Sequence, residues 1–266
     1  MFLTDRFTYI HQPKTGGTFV ATVLARVHQL RGETVRTVWF DPSGHEDAPD
    51  VQPGSPVRLM LTTRNQHGAR RDIPARYLDR PILATIRNPY DRYVSQYEFA
   101  WWKVYPEMFG PVAGVKARYP KYPALTFAEF VELTNDVSVP YKAPRHPDDT
   151  PGFHTQQFAE FFFANPQAAY GRLNDPAFAR DAGRQALGEI HFIDQSRLNV
   201  DLAAFLRGVG YADTDLDVIL NADRIWPPEG GRPADASWEP YYTPDLKAFV
   251  RRKERWLFEW FPQYDV

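Results

Sequence analysis

Residues Tyr9-Ile10-His11-Gln12-Pro13-Lys14-Thr15-Gly16-Gly17-Thr18 decide the fold. An extended apolar lead-in gives way at the glycine pair to a helix-like run through Phe19, Val20, Val23, Leu24 and Val27, so the stretch reads as strand, tight turn and helix N-terminus. Gly16 and Gly17 reach backbone angles closed to other residues and let the main chain approach a ligand, while Thr18 is placed to cap the helix. The N–H groups at such a helix start attract an anion. Lys14, just before the turn, adds a full positive charge beside the dipole end. A phosphate or its sulfate ester suits this place best.

Composition narrows the partners. The chain has 266 residues, 43% of them hydrophobic and 24% charged, enough for one sizeable α/β domain over residues 1–266. A formal charge of -2 gives no broad basic field for a nucleic-acid backbone, so nucleic acid is not an expected partner and any anion site is local. No segment approaches the roughly 18 uninterrupted apolar residues of a membrane span, and the first residues lack a basic-then-apolar signal pattern. The simplest address is the cytoplasm. Without cysteine there is no disulfide and no thiolate nucleophile, and the 7 histidines are too scattered to suggest a zinc site.

Further along, Thr34 to Phe40 and Val57 to Thr62 have strand character, the first ending at the turn cluster Asp41-Pro42-Ser43-Gly44. A short helical stretch follows around Ala69 to Tyr77. Ile82-Leu83-Ala84-Thr85-Ile86 is an apolar run suited to the centre of a sheet covered on both faces, and Glu189 to Asp194 reads as a further strand. Amphipathic helices are expected at Arg197 to Val209 and from about Pro244 to Trp260. Strands alternating with helices predict an α/β fold with a central parallel sheet and helices on both faces. The stretch from Val137 to Gly152, broken by Pro140, Pro144, Pro147 and Pro151, is an irregular excursion, as is Trp226 to Tyr242.

A second strand-to-helix junction, Thr85-Ile86-Arg87-Asn88-Pro89-Tyr90-Asp91, carries a cap residue, a proline at the first helical position and a carboxylate in the first turn. That logic leaves Arg87 unexplained, because a guanidinium at the end of a buried strand needs an acidic partner or an anionic ligand. Ser95 stands eight positions later.

The Pro13-to-Thr18 segment resembles the 5′-phosphosulfate loop of sulfotransferases, in particular the carbohydrate type with its Pro-Lys-Thr-Gly-Gly-Thr signature. Arg87 with Ser95 is similar to that superfamily's 3′-phosphate motif. Weaker similarity continues through His67-Gly68-Ala69-Arg70-Arg71-Asp72-Ile73-Pro74, Phe192-Ile193-Asp194 and Tyr241-Tyr242-Thr243-Pro244. The resemblance implies a P-loop-like fold that binds 3′-phosphoadenosine 5′-phosphosulfate (PAPS) and transfers its sulfuryl group to an acceptor hydroxyl or amine. Lys14 then stabilises charge on the oxygen between phosphate and sulfate, and Thr15, Gly16, Gly17 and Thr18 hold the 5′-phosphate mainly through backbone N–H groups. Arg87 and Ser95 hold the 3′-phosphate. No metal is implied, since Lys14 and the helix end do what magnesium does in kinases.

The acceptor needs a proton sink, and histidine suits neutral pH. His67, between the third strand and the next helix, resembles the catalytic histidine of the uronyl-type polysaccharide sulfotransferases in its place. His45, Glu33, Glu46 and Asp72 are the other candidates, and His11 is expected to pack or to orient Lys14. The aromatic group Trp101, Trp102, Tyr105, Phe109, Tyr119 and Tyr122 offers either core packing or a stacking surface for sugars. A glycan, a glycolipid or a small hydroxylated metabolite fits as acceptor. Two other classes share the loop logic. A P-loop kinase puts its lysine after the glycines, unlike Lys14, and a non-catalytic nucleotide- or glycan-binding protein keeps the loop without turnover.

Overall fold

In the computed structural model, which describes residues 1–39, 56–60, 66–136, 150–223 and 236–266, the Tyr9 lead-in is a strand and the run after the glycines is a helix. The expected turn at Asp41-Pro42-Ser43-Gly44, together with His45 and Glu46, lies outside the described residues. The chain divides into two compact units, Met1–Arg87 with Gln185–Trp226, and Asn88–Arg184 with Pro227–Val266.

The first unit holds a six-stranded sheet of β1 (Phe2–Leu3), β2 (Thr8–Ile10), β3 (Arg36–Trp39), β4 (Val57–Met60), β5 (Ile82–Ile86) and β6 (Ile190–Asp194), in the order β3-β4-β1-β2-β5-β6. Strands β3–β4, β2–β5 and β5–β6 pair in parallel, as the alternating pattern predicts. The sheet is nevertheless mixed rather than purely parallel, because β1 runs antiparallel to both β2 and β4. Its two residues are too few for a sequence pattern, and a turn makes the hairpin: the Thr4 hydroxyl donates to the Phe7 carbonyl and accepts from the Phe7 N–H, each at 2.8 Å. β5 is also one strand in from the β6 edge, not central, although all five of its residues are buried.

Helix α1 (Gly17–Leu30) lies against this sheet through Phe19, Val20, Val23, Leu24 and Val27, the spacing of one helical face. In the chain order of helices, α2 (Pro89–Phe99), α3 (Trp101–Val104), α4 (Val112–Arg118), α5 (Phe127–Asp136), α6 (Phe153–Phe162) and α7 (Pro166–Tyr170) belong to the second unit. The unit boundary falls within α8 (Pro176–Glu189). Helices α9 (Leu198–Gly208) and α10 (Asp213–Leu220) return to the first unit, where Leu202, Leu206, Leu216 and Ile219 join Tyr9, Leu83 and Ile193 in one core with α1.

The second unit also holds α11 (Pro244–Lys253) and α12 (Arg255–Trp260), a break in the single helix expected there. The break places Glu254 in the interior with none of its surface exposed. Its carboxylate caps α6, accepting from the backbone N–H of His154 at 3.0 Å and of Thr155 at 2.7 Å, and from the Tyr93 hydroxyl at 2.5 Å. Trp102, Tyr119 and Tyr122 are core residues here, at 1%, 5% and 2% exposure, which removes them as a sugar-stacking surface. Among the described residues no helix is long and apolar enough to cross a membrane.

Candidate functional site

The loop between β2 and α1 is built from two left-handed residues and a buried threonine. Lys14 has φ 64° and Gly16 has φ 96°. Left-handed residues in a turn are how successive N–H groups are brought to converge on an anion. A glycine takes that conformation freely, but a lysine does so only when its surroundings hold it there. Gly16 also needs to lack a side chain, since an added Cβ would lie 2.6 Å from Leu198 Cδ1. Helix α1 starts at Gly17 with Gly16 as its N-cap, a residue without a side chain to cap the first turn. Thr18 is therefore inside the helix and is not the cap expected of it. The cap position falls to a residue that brings no side-chain oxygen of its own to the first N–H groups of α1.

Thr15 turns inward, with no exposed surface. Its hydroxyl donates to the Gln12 carbonyl at 2.9 Å and lies 2.6 Å from the Thr85 hydroxyl. Having given its one proton to Gln12, Thr15 accepts from Thr85, and Thr85 in turn accepts from the Tyr9 hydroxyl at 3.3 Å. This ordered chain, Tyr9 to Thr85 to Thr15 to the Gln12 carbonyl, ties the loop to β5. Sequence reasoning missed Thr85 and Tyr9 because threonine and tyrosine are ordinary strand residues.

Arg87 follows the last residue of β5, and its guanidinium donates to the Lys14 carbonyl at 3.3 Å. The structure thus brings the Arg87 guanidinium to the main chain of the loop that carries Lys14. Asn88 caps α2 by accepting from the Tyr90 N–H at 2.9 Å, with Pro89 at the first helical position, as expected. Ser95 is half-buried on α2 in the second unit.

His67 comes to the end of β2 from a distant part of the chain. Its Nδ1 lies 3.0 Å from the His11 carbonyl oxygen, and the two imidazoles meet edge-on with centroids 4.6 Å apart. His11 is 4% exposed. Burial holds its imidazole well below the ordinary value of 6.5, and the neighbouring His67 adds to the effect. Of the acidic alternatives, Glu33 is engaged by Arg31 at 2.8 Å and by His28, and Asp72 accepts from the Ala69 N–H at 2.7 Å. Both carboxylates serve local structure, while His67 lies at the end of β2. Among the described residues there is no group of three or more histidine, aspartate or glutamate side chains that could hold a metal ion.

No family model matches this chain, and no curated protein matches its sequence. Among solved structures, mouse sulfotransferase SULT7A1 complexed with PAP aligns over 98% of this chain and 85% of that one, at 16% identity and a TM-score of 0.44.

Proposed function

We propose that this chain is a PAPS-dependent sulfotransferase, moving a sulfuryl group from the donor to an acceptor hydroxyl. The observation that carries the reading is the convergence of Lys14, the left-handed Gly16, the α1 start and Arg87 on one loop. A guanidinium held against the loop that carries Lys14 fits a ligand with more than one anionic group, and a helix start whose N-cap is a glycine fits one that supplies acceptor oxygens itself.

In this reading the backbone N–H groups of Thr15, Gly16, Gly17 and Thr18 hold the 5′-phosphate. The acceptor oxygen attacks sulfur in line, the bond from sulfur to the bridging oxygen breaks, and its electron pair ends on the 5′-phosphate. Lys14 offsets that developing charge, and the proton of the acceptor passes to His67. Arg87 takes the 3′-phosphate; the sequence motif names Ser95 as its companion. A carbohydrate or glycoconjugate is the acceptor class suggested by the Pro-Lys-Thr-Gly-Gly-Thr signature.

The test has two arms. Adenosine 3′,5′-bisphosphate is expected to raise the melting temperature where ATP with magnesium does not, and labelled PAPS is expected to transfer sulfate to a member of a glycan and glycolipid panel. Stabilisation by ATP with magnesium alone would move the chain to the kinase-like class. Bisphosphate binding with no transfer to any acceptor would leave a non-catalytic binding protein.

A further inference from the structure

We infer that His11 is a positioning residue that fixes which nitrogen of His67 takes up a proton, and that anchors this base to the donor loop. The inference rests on the reading above for its catalytic meaning, but its structural content stands on contacts within one unit.

A carbonyl oxygen has no hydrogen to give. The 3.0 Å contact between His67 Nδ1 and the His11 carbonyl therefore requires the proton on Nδ1. In the neutral ring the lone pair is then on Nε2. When Nε2 takes a proton, the bond from Nδ1–H to the carbonyl stays in place and becomes charge-assisted, so the same carbonyl favours the imidazolium. A base held this way needs no rotation between its two protonation states.

The ring of His11 provides the anchor. It occupies the space that a side chain on Gly17 would need, since an added Cβ there would lie 1.8 Å from His11 Cδ2 and 2.0 Å from His11 Nε2. The same ring meets His67 edge-on at 76°. It also stacks on Tyr9, with centroids 6.1 Å apart, and Tyr9 begins the hydroxyl chain to Thr15. One buried ring thus touches the first residue of α1, the root of the loop and the base. Because burial keeps His11 uncharged, its ring adds no positive charge beside His67.

The first measurement uses the ligand-free wild type: nitrogen-15 spectra of its histidines, with His67 assigned by comparison with His67→Gln. A protonated Nδ1 and an unprotonated Nε2 on the neutral His67 are expected. A proton on Nε2 overturns the inference and leaves the donor-site reading standing. His11→Ala keeps the main-chain carbonyl but removes the ring that packs His67 against it, so the bond from Nδ1–H is expected to loosen. The tautomer preference should then weaken, and the fall of kcat on the acid side, where His67 gains its proton, should move to lower pH. Turnover should fall about ten- to hundredfold, the scale of losing an outer partner of a working histidine. His11→Phe, which keeps a flat ring but cannot titrate, should restore most of the loss. An unchanged tautomer and pH profile in His11→Ala overturn the positioning role of the ring. Unchanged turnover in His67→Ala overturns the assignment of the base, and with it the role of His11. If His11→Ala does not fold, the wild-type spectrum alone decides.

Discussion

The hydroxyls of Thr15 and Thr85 lie 2.6 Å apart although 70 residues separate them in sequence. The contact locks the loop to β5, and the order of donation leaves Tyr9 dependent on Thr85 for an acceptor. Thr85→Val keeps the shape and removes that acceptor, so the buried Tyr9 hydroxyl loses its partner. A loss of about 1 to 3 kcal/mol in denaturant unfolding is expected. Affinity for adenosine 3′,5′-bisphosphate should fall with it, because the loop is held less firmly. Unaltered stability would mean that the chain of hydroxyls is not formed.

Arg87→Ala is expected to weaken binding of adenosine 3′,5′-bisphosphate far more than that of adenosine 5′-phosphate, since only the first carries the group assigned to this guanidinium. A charge-assisted hydrogen bond contributes about 1.5 to 3 kcal/mol, roughly ten- to hundredfold in affinity. Calorimetric titration of both ligands checks this, and equal losses would remove Arg87 from the 3′-phosphate.

Lys14→Ala is expected to lower turnover by about two to three orders of magnitude, the scale of losing a preorganised donor at a site of developing charge. Chelators should leave the wild-type rate as it is. A strict need for magnesium would contradict the donor chemistry proposed.

Stability itself should depend on pH. His11 in the fold is held well below its ordinary value of 6.5 by burial, and His28 is lowered as well because its burial outweighs the pull of Glu33. Below pH 6.5 the unfolded chain therefore binds protons that the folded chain refuses. The stabilisation is complete above that value and is lost as pH falls toward the depressed folded values, by at most about 1.4 kcal/mol per pH unit for each histidine. Urea midpoints at pH 7.5 and 5.5 should show the decline. His11→Phe should reduce it. A midpoint that does not change between the two pH values would place a charged imidazole in the fold.

The loop and the Arg87 junction were legible because each joins a strand to a helix through residues with few structural uses: a glycine pair in one, Asn-Pro in the other. Periodicity likewise located α1 and β5. What the sequence hid had two causes. β1 is two residues long and exists through its pairing with β2 and β4, so no pattern announces it. Glu254 sits in the charged run Arg251-Arg252-Lys253-Glu254-Arg255, which reads as a solvated helix face, yet the helix breaks there and the carboxylate is buried under α6. Thr18 falls inside α1 rather than at its cap, because the left-handed Gly16 starts the helix earlier than a threonine cap would. The bond between His67 and His11 joins residues 56 apart, beyond anything local spacing can report.

Lys14 stands in a backbone conformation, φ 64°, that glycine holds without a side-chain penalty. Such a residue costs of order 1 to 3 kcal/mol, a debt the fold carries for the sake of a charge at that point. Lys14→Gly is thus expected to keep or raise the melting temperature while turnover collapses, the reverse of the usual damage from a mutation in a tight loop. Heat resistance and activity make opposite demands on this one position. Selection for thermal tolerance alone will favour chains that have discarded the lysine, so a stability screen of this protein needs an activity gate at residue 14.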